Sequence, residues 1–193
     1  MASADRVSIA DYLAAELVSR DKHEYHDGEV LAMSGGTPRH ALLGARLAGV
    51  LSRAAGDGPC QAYSGSLNVA IDASRRFVYP DATIVCGELE HHPEDVKGLA
   101  ISNPRVVFEV LSESTAAYDR GEKFEHYLKI PSLQEVVLLE QDRPYVQSFL
   151  RQGDGTWNLR AWEGRDAVAR VRAVGFELPL AEVYPPPVPP AAG

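Results

Sequence analysis

Val136-Val137-Leu138-Leu139 is an uninterrupted apolar run behind Glu135, without the polar alternation of a strand that keeps one face in water. A strand of that kind is covered on both faces, and the fold that covers it is layered, with helices packed on a sheet. The pattern predicts an α/β (α+β) chain with a mixed central sheet. At 193 residues with 45% apolar side chains, the sequence has the material for one such core with appendages.

The remaining elements follow from local signals. Ser8-Ile9-Ala10-Asp11 reads as a helix start, and Ile9, Tyr12, Leu13 and Leu17 predict a helix over 8–19. Asp27-Gly28, flanked by Glu24-Tyr25 and Val30-Leu31, predicts a hairpin within 23–33. Gly35-Gly36-Thr37-Pro38 breaks the chain before a second helix over 38–54, marked by Leu42, Leu43, Leu47, Val50 and Leu51. Extended segments at 61–71, 76–86 and 105–111 precede a helix over 118–130 and a strand at 135–139. The order is α-β-β-β-α-β, and Gly153-Asp154-Gly155 adds an antiparallel hairpin from 145–150 and 157–162. The predicted organisation is a single domain over 1–183. It comprises an N-terminal helix and hairpin over 1–34, a core over 35–141 and added strands over 142–183. An extended or disordered tail follows over 184–193, where five of ten residues are proline.

Charge narrows the function. Lys and Arg number 19 against 27 Asp and Glu, a net of −8, which excludes a protein that docks on phosphate backbones or anionic lipid by bulk positive charge. The deficit lies wholly in residues 1–140, and Asp81, Glu88, Glu90, Glu94 and Asp95 occupy 81–95 without one Lys or Arg. Cys60 and Cys86 are too few and too far apart for a CxxC-type metal site or a disulfide framework and read as reduced packing residues. With no secretory leader pattern and no apolar stretch long enough to span a bilayer, the expected location is cytoplasmic, away from membranes.

Two acids interrupt extended segments. Glu109 lies within Val107-Phe108-Glu109-Val110-Leu111, and Asp81 directly follows Pro80. A carboxylate inside an apolar strand is costly unless paired, hydrogen-bonded or bound to a cation. If the two strands are neighbours, both carboxylates meet at one point, where hard oxygen ligands suit Mg²⁺ or Mn²⁺. Spacing alone leans to the plainer reading, two solvated residues on an open sheet face. Lys123 falls in the first turns of the helix that leaves the Glu109 strand, where an ammonium could neutralise a developing anion. It is also placed to be an ordinary i, i+4 surface partner of Asp119.

Other features are plainer. His23 and His26 fall on opposite faces of a strand, and His91-His92 reads as part of a solvated loop. Arg39, Arg46 and Arg53 recur every seven residues, either as a basic stripe or as solvated edges of a buried helix face. Gly35-Gly36 lacks the Lys-Ser/Thr of a P-loop.

Pro80-Asp81, Phe108-Glu109-Val110-Leu111, Ser112-x-Ser114-Thr115, Tyr118-Asp119-Arg120-Gly121-Glu122-Lys123 and Tyr127 together resemble a family. It is the restriction-endonuclease-like branch, of unassigned cellular function, of the PD-(D/E)XK nuclease superfamily. Asp27-Gly28-Glu29, Thr37-Pro38-x-His40 and the ending over 178–187 extend the resemblance over most of the chain. It implies the same α-β-β-β-α-β core, Asp81 and Glu109 as metal-binding acids and the backbone carbonyl of Val110 as a further ligand. Leu111 departs from the general pattern, which places a Lys two residues after the acid; Lys123, on the following helix, stands as its replacement. Glu113 and Leu139-Glu140-Gln141 depart in loops outside these ligands.

The resemblance implies a Mg²⁺- or Mn²⁺-dependent endonuclease acting on DNA, with no organic cofactor. His40 and Glu29, at a helix start and beside a turn, would lie on the rim of its site and touch metal, water or a proton in transit; His40 is equally readable as structural. A homodimer would place two sites on two strands, with 145–162 as an interface. The reading from another class is a catalytically inactive nuclease-like fold serving as a nucleic-acid-binding or protein-interaction module.

Overall fold

The computed structural model describes residues 6–33, 36–113 and 115–186. Most of the proline-rich ending, together with Gly35 and Ser114 of the motifs above, lies outside them. In chain order the elements are α1 (Ile9–Val18), β1 (His23–His26), β2 (Glu29–Ala32), α2 (Pro38–Ala55), β3 (Cys60–Ser64), β4 (Asn68–Ile71), β5 (Arg76–Val78), β6 (Ala82–Cys86), β7 (Ala100–Ile101) and β8 (Val106–Leu111). There follow α3 (Ala116–Arg120), α4 (Glu122–Tyr127), β9 (Glu135–Glu140), β10 (Tyr145–Arg151), β11 (Trp157–Glu163), β12 (Val168–Val171), β13 (Phe176–Pro179) and α5 (Leu180–Val183).

Three predicted elements are divided. The segments 61–71 and 76–86 each supply two strands, and the two halves of each enter different sheets. Gly65 interrupts the first and Pro80, which cannot donate to a ladder, interrupts the second. The helix expected over 118–130 is two short helices broken at Gly121, where a Cβ would stand 2.9 Å from the Ala117 carbonyl oxygen. The Asp27-Gly28 turn takes positive φ at both residues, 46° and 101°, as a two-residue hairpin turn requires.

One sheet runs β2-β1-β5-β4-β7 and the other β11-β10-β9-β8-β6-β3, with β12-β13 a separate pair. The larger sheet is mixed: β8 is parallel to β9 and antiparallel to β6. From Glu135 to Leu139, β9 is buried throughout, as its uninterrupted apolar run requires. On one face of this sheet, Phe108 and Val110 pack with Leu43, Leu47 and Leu51 of α2; on the other, Val107 and Leu111 pack with Tyr127, Leu133 and Val136. Leu42, expected in the helix stripe, points outward.

α2 starts on Thr37, whose side chain accepts from the His40 backbone N–H at 3.1 Å and donates to Gln141 at 2.8 Å. An N-cap satisfies one of the four orphan donors of a helix start. Thr37→Ala is therefore expected to cost about 1–2 kcal/mol in urea unfolding, against a few tenths for Thr37→Ser.

Two expectations are corrected. Cys60 and Cys86 are not free: they face each other across the β3–β6 ladder and form a disulfide. Sequence distance had hidden a direct cross-strand register. With the cysteines 26 positions apart, the chain-entropy effect of the link is about 3.5 kcal/mol, so reduction or Cys60→Ala is expected to lower unfolding free energy by about 2–4 kcal/mol. The supposed tail also begins inside the core, because Tyr184 is buried and its hydroxyl donates to the carbonyls of Glu140 and Tyr145.

Candidate active site

Between β5 and β6 the chain passes from one sheet to the other, and Asp81 stands on that crossing. Ala82 lies opposite Phe108, so Asp81 and Glu109 are neighbours across the ladder. The Val110 N–H donates to Asp81 Oδ2 at 2.7 Å, and His40 Nε2 lies 3.2 Å from the same oxygen. The pairing that the sequence left open is therefore made, and neither acid stands alone on an open face.

Glu109, 3% exposed, belongs to the face of β8 that meets α4. Its Oε1 accepts from the Tyr127 hydroxyl at 2.5 Å and lies 2.7 Å from Lys123 Nζ. Lys123 is itself 5% exposed and reaches Glu24 at 3.5 Å and Asp119 at 3.7 Å. It pairs with Asp119 at the i, i+4 spacing, though buried and not on the surface, and it also faces the strand acid.

Burial pushes the Glu109 carboxyl well above its ordinary range; Lys123 pulls it down, and the negative charges of Asp81 and Asp119 push it further up. Burial alone would lower Lys123, but Glu109, Glu24 and Asp119 outweigh it and hold the ammonium charged. His40 is raised by its bond to Asp81 against the opposing effect of burial. Burial also raises Asp119, whereas the bond to His26 and the charge of Lys123 overcome burial at Glu24 and lower it.

A cavity of about 150 Å³ is lined by His40, Asp81, Glu109, Val110, Asp119 and Lys123. Asp81, Glu109 and Asp119 line it and Glu24 lies behind Lys123; a cation bound there would favour the ionised carboxylates that burial opposes at Glu109 and Asp119. The bonds described above use Asp81 Oδ2 and Glu109 Oε1, so each acid keeps a second oxygen. Among the described residues no three His, Cys, Asp or Glu side chains converge as a metal-binding group. What the site offers is two carboxylates and a backbone carbonyl, a hard-oxygen set that fits Mg²⁺ or Mn²⁺ if water and substrate complete the shell.

Glu29 does not join this group: it is exposed at the start of β2, opposite His26, and does not line the cavity. Glu24 was missed, although period two puts it on the same face as His26, which lies 3.2 Å from it. Tyr127 is one of the residues that carry the family resemblance, but nothing in the sequence marks its hydroxyl as a partner of Glu109. The arginine stripe is occupied within the chain: Arg39 donates to the Gln141 carbonyl, Arg46 to the Glu182 carbonyl, and Arg53 pairs with the Glu182 side chain.

Residues 9–181 match the model of the Uma2 family, whose description is "Putative restriction endonuclease". The chain belongs to the Uma2 family. Two Synechocystis relatives of similar length are "Uncharacterized protein slr1290", 31% identical over 93% of this chain and 92% of that one, and "Uncharacterized protein sll1609", 30% identical over 83% and 90%. Among solved structures, a crystal structure from Anabaena variabilis, titled as a putative nuclease belonging to DUF820, superposes with a TM-score of 0.69. It covers 89% of this chain and 96% of its own at 15% identity, a likeness that shows the fold. The Uma2 chain thus has a restriction-endonuclease-like α+β fold with a C-terminal antiparallel hairpin, and among its described residues no helix is long and apolar enough to cross a membrane.

Proposed function

We propose that this Uma2 chain is a Mg²⁺- or Mn²⁺-dependent endonuclease that hydrolyses phosphodiester bonds in DNA. The observation that carries the reading is the meeting of Asp81 and Glu109 from adjacent strands beside the buried ammonium of Lys123. Asp81, Glu109 and the Val110 carbonyl would hold the ion. A bound Mg²⁺ or Mn²⁺ would polarise the phosphate and make water nucleophilic near neutral pH. Lys123, held charged by its carboxylates, stabilises negative charge that develops on the phosphate, a charge that bulk water would otherwise have to reorganise around. His40, kept protonated more readily by Asp81, can deliver a proton to the leaving oxygen. Tyr127 orients the Glu109 carboxylate from behind.

The test compares wild type with Asp81→Asn and Glu109→Gln on single-stranded and duplex DNA, with Mn²⁺ binding followed by calorimetry. Wild type is expected to cut with Mg²⁺ or Mn²⁺ and stop with chelator, while each variant loses cleavage and the calorimetric signal together. A wild type that never cuts, or variants that cut as well as it does, would sink the proposal. An inactive module is supported by the net charge of −8, which disfavours a nucleic-acid substrate; wild type that neither cuts nor gives a Mn²⁺ signal would favour it.

A further inference from the structure

A second cavity, of about 400 Å³, opens on the other side of Lys123, between the β1–β2 hairpin and the two helices α3 and α4. It shares Met33, Thr115, Asp119 and Lys123 with the cavity of the two acids, so an occupant of one borders an occupant of the other. The volume is within the range that small organic ligands fill.

We propose that this cavity receives an unpaired nucleobase bearing an exocyclic amino group, from the strand whose phosphate lies at Asp81 and Glu109. The inference rests on the nuclease reading and extends it to substrate form. One part of the wall is flat and aromatic: the Tyr118 ring stacks with the His26 imidazole, centroids 6.2 Å apart and planes inclined by 27°. Leu31 and Met33 of the hairpin side add apolar surface, and both are left 38% exposed. The carboxylates Glu24, Asp119 and Glu122 line the cavity beside the ammonium of Lys123: Glu24 and Asp119 pair with Lys123, Glu24 also with His26, and Glu122 pairs through one oxygen with Arg76, which leaves its second carboxylate oxygen as the acceptor offered to an occupant.

A phosphate would be repelled there. A flat ring with N–H donors on its edge matches the lining, since aromatic side chains stack on any base and a carboxylate accepts from a base amino group. Cytosine, adenine and guanine carry that amino group and thymine does not. The edge is free only when the base is unpaired.

Two cations, Arg20 and Lys22, lie on the opposite side of Asp81. A third cavity, of about 520 Å³, shares Tyr79, His40 and Asp81 with the central one and is lined by Arg20, Asp21 and Lys22. The three spaces thus differ in lining: Arg20 and Lys22 flank the one beyond Asp81, the two proposed metal acids meet in the central one, and the Tyr118–His26 pair walls the one beyond Lys123.

The probe is an eight-nucleotide single strand containing one 2-aminopurine, titrated in Ca²⁺ into the full chain and into Leu31→Trp and Tyr118→Ala, with thermal unfolding confirming that both variants fold. Wild type is expected to quench the probe. It should bind oligo(dC) and oligo(dA) more tightly than oligo(dT), while each variant loses quenching and about 5- to 150-fold in affinity, the range for one stacked base. Leu31→Trp fills the space from the wall opposite in sequence to Tyr118, so agreement of the two does not depend on either residue's own contacts. Absent binding, binding without quenching, equal affinity for oligo(dT), or unchanged binding by the variants overturns the proposal. Quenching with no cleavage under Mn²⁺ would retire the nuclease reading and leave the base pocket standing; cleavage with no quenching would do the reverse.

Discussion

Lys123→Met is expected to destabilise the chain by about 3–5 kcal/mol, the range for breaking a buried ion pair by removing one partner. The reason is the company that Lys123 keeps: Glu109, Glu24 and Asp119 lie within 3.7 Å of its ammonium, and none of the three is more than 8% exposed. Methionine fills the space and leaves those carboxylates facing one another. Glu109→Gln alone should cost less, because Lys123 keeps two acids, and the double variant should recover a good part of the Lys123→Met loss. Urea unfolding of the four proteins measures that coupling; strictly additive losses would show that the pair is not the source.

The same variant has a pH signature. Burial raises the folded-state pKa of Glu109, Lys123 opposes the rise, and removing Lys123 lets burial and the charges of Asp81 and Asp119 push it further up. A raised acid contributes its stability below the unfolded pKa and loses it as pH rises through the folded one. With Lys123 in place the Glu109 carboxyl is already pushed up to about 8, so the extra loss in Lys123→Met should be flat below about pH 8 and grow as pH rises above it, whereas a simple packing defect would show no such slope.

Phe108→Ala is expected to cost about 3–5 kcal/mol and to lower Tm by roughly 6–20 °C for a chain of this length. Phe108 is fully buried between β8 and α2, in the cluster that includes Leu43, Leu47, Ile84 and Val137. It lies next to Glu109 in the chain and points to the opposite face of the sheet. Phe108→Leu, which keeps most of the volume, should lose much less in a thermal melt. Equal losses for the two would mean that packing volume is not what Phe108 supplies.

The parts of the architecture legible in the sequence are those governed by short-range pattern. The β9 run, the Asp27-Gly28 turn and the hairpin around Gly153-Asp154-Gly155 each carry their own signal, and each appears where expected. Asp81, Glu109 and Lys123 stood out because charged residues interrupted or edged apolar elements, and the structure brings all three together. What remained hidden depended on long-range partners. The β12–β13 pair buries Ala169 and Val171 but exposes Val168 and Arg170, too faint an alternation to register without the α2 surface it covers. The cross-strand disulfide and the two divided strands likewise follow from sheet register, which spacing along the chain does not encode.

The crossing at Asp81 gives the N-terminal hairpin a significance beyond that of an appendage. β1 belongs to the sheet that the chain leaves just before Asp81, and β8 to the sheet it enters. Lys123 is contacted by an acid from each, Glu24 and Glu109. Its ammonium therefore works as a clasp across the seam between the sheets. A fragment starting at α2 would retain both proposed metal acids and the lysine, yet would lose the clasp's other half. Trimming a homologue to the minimal superfamily core would then alter the charge balance of the site itself.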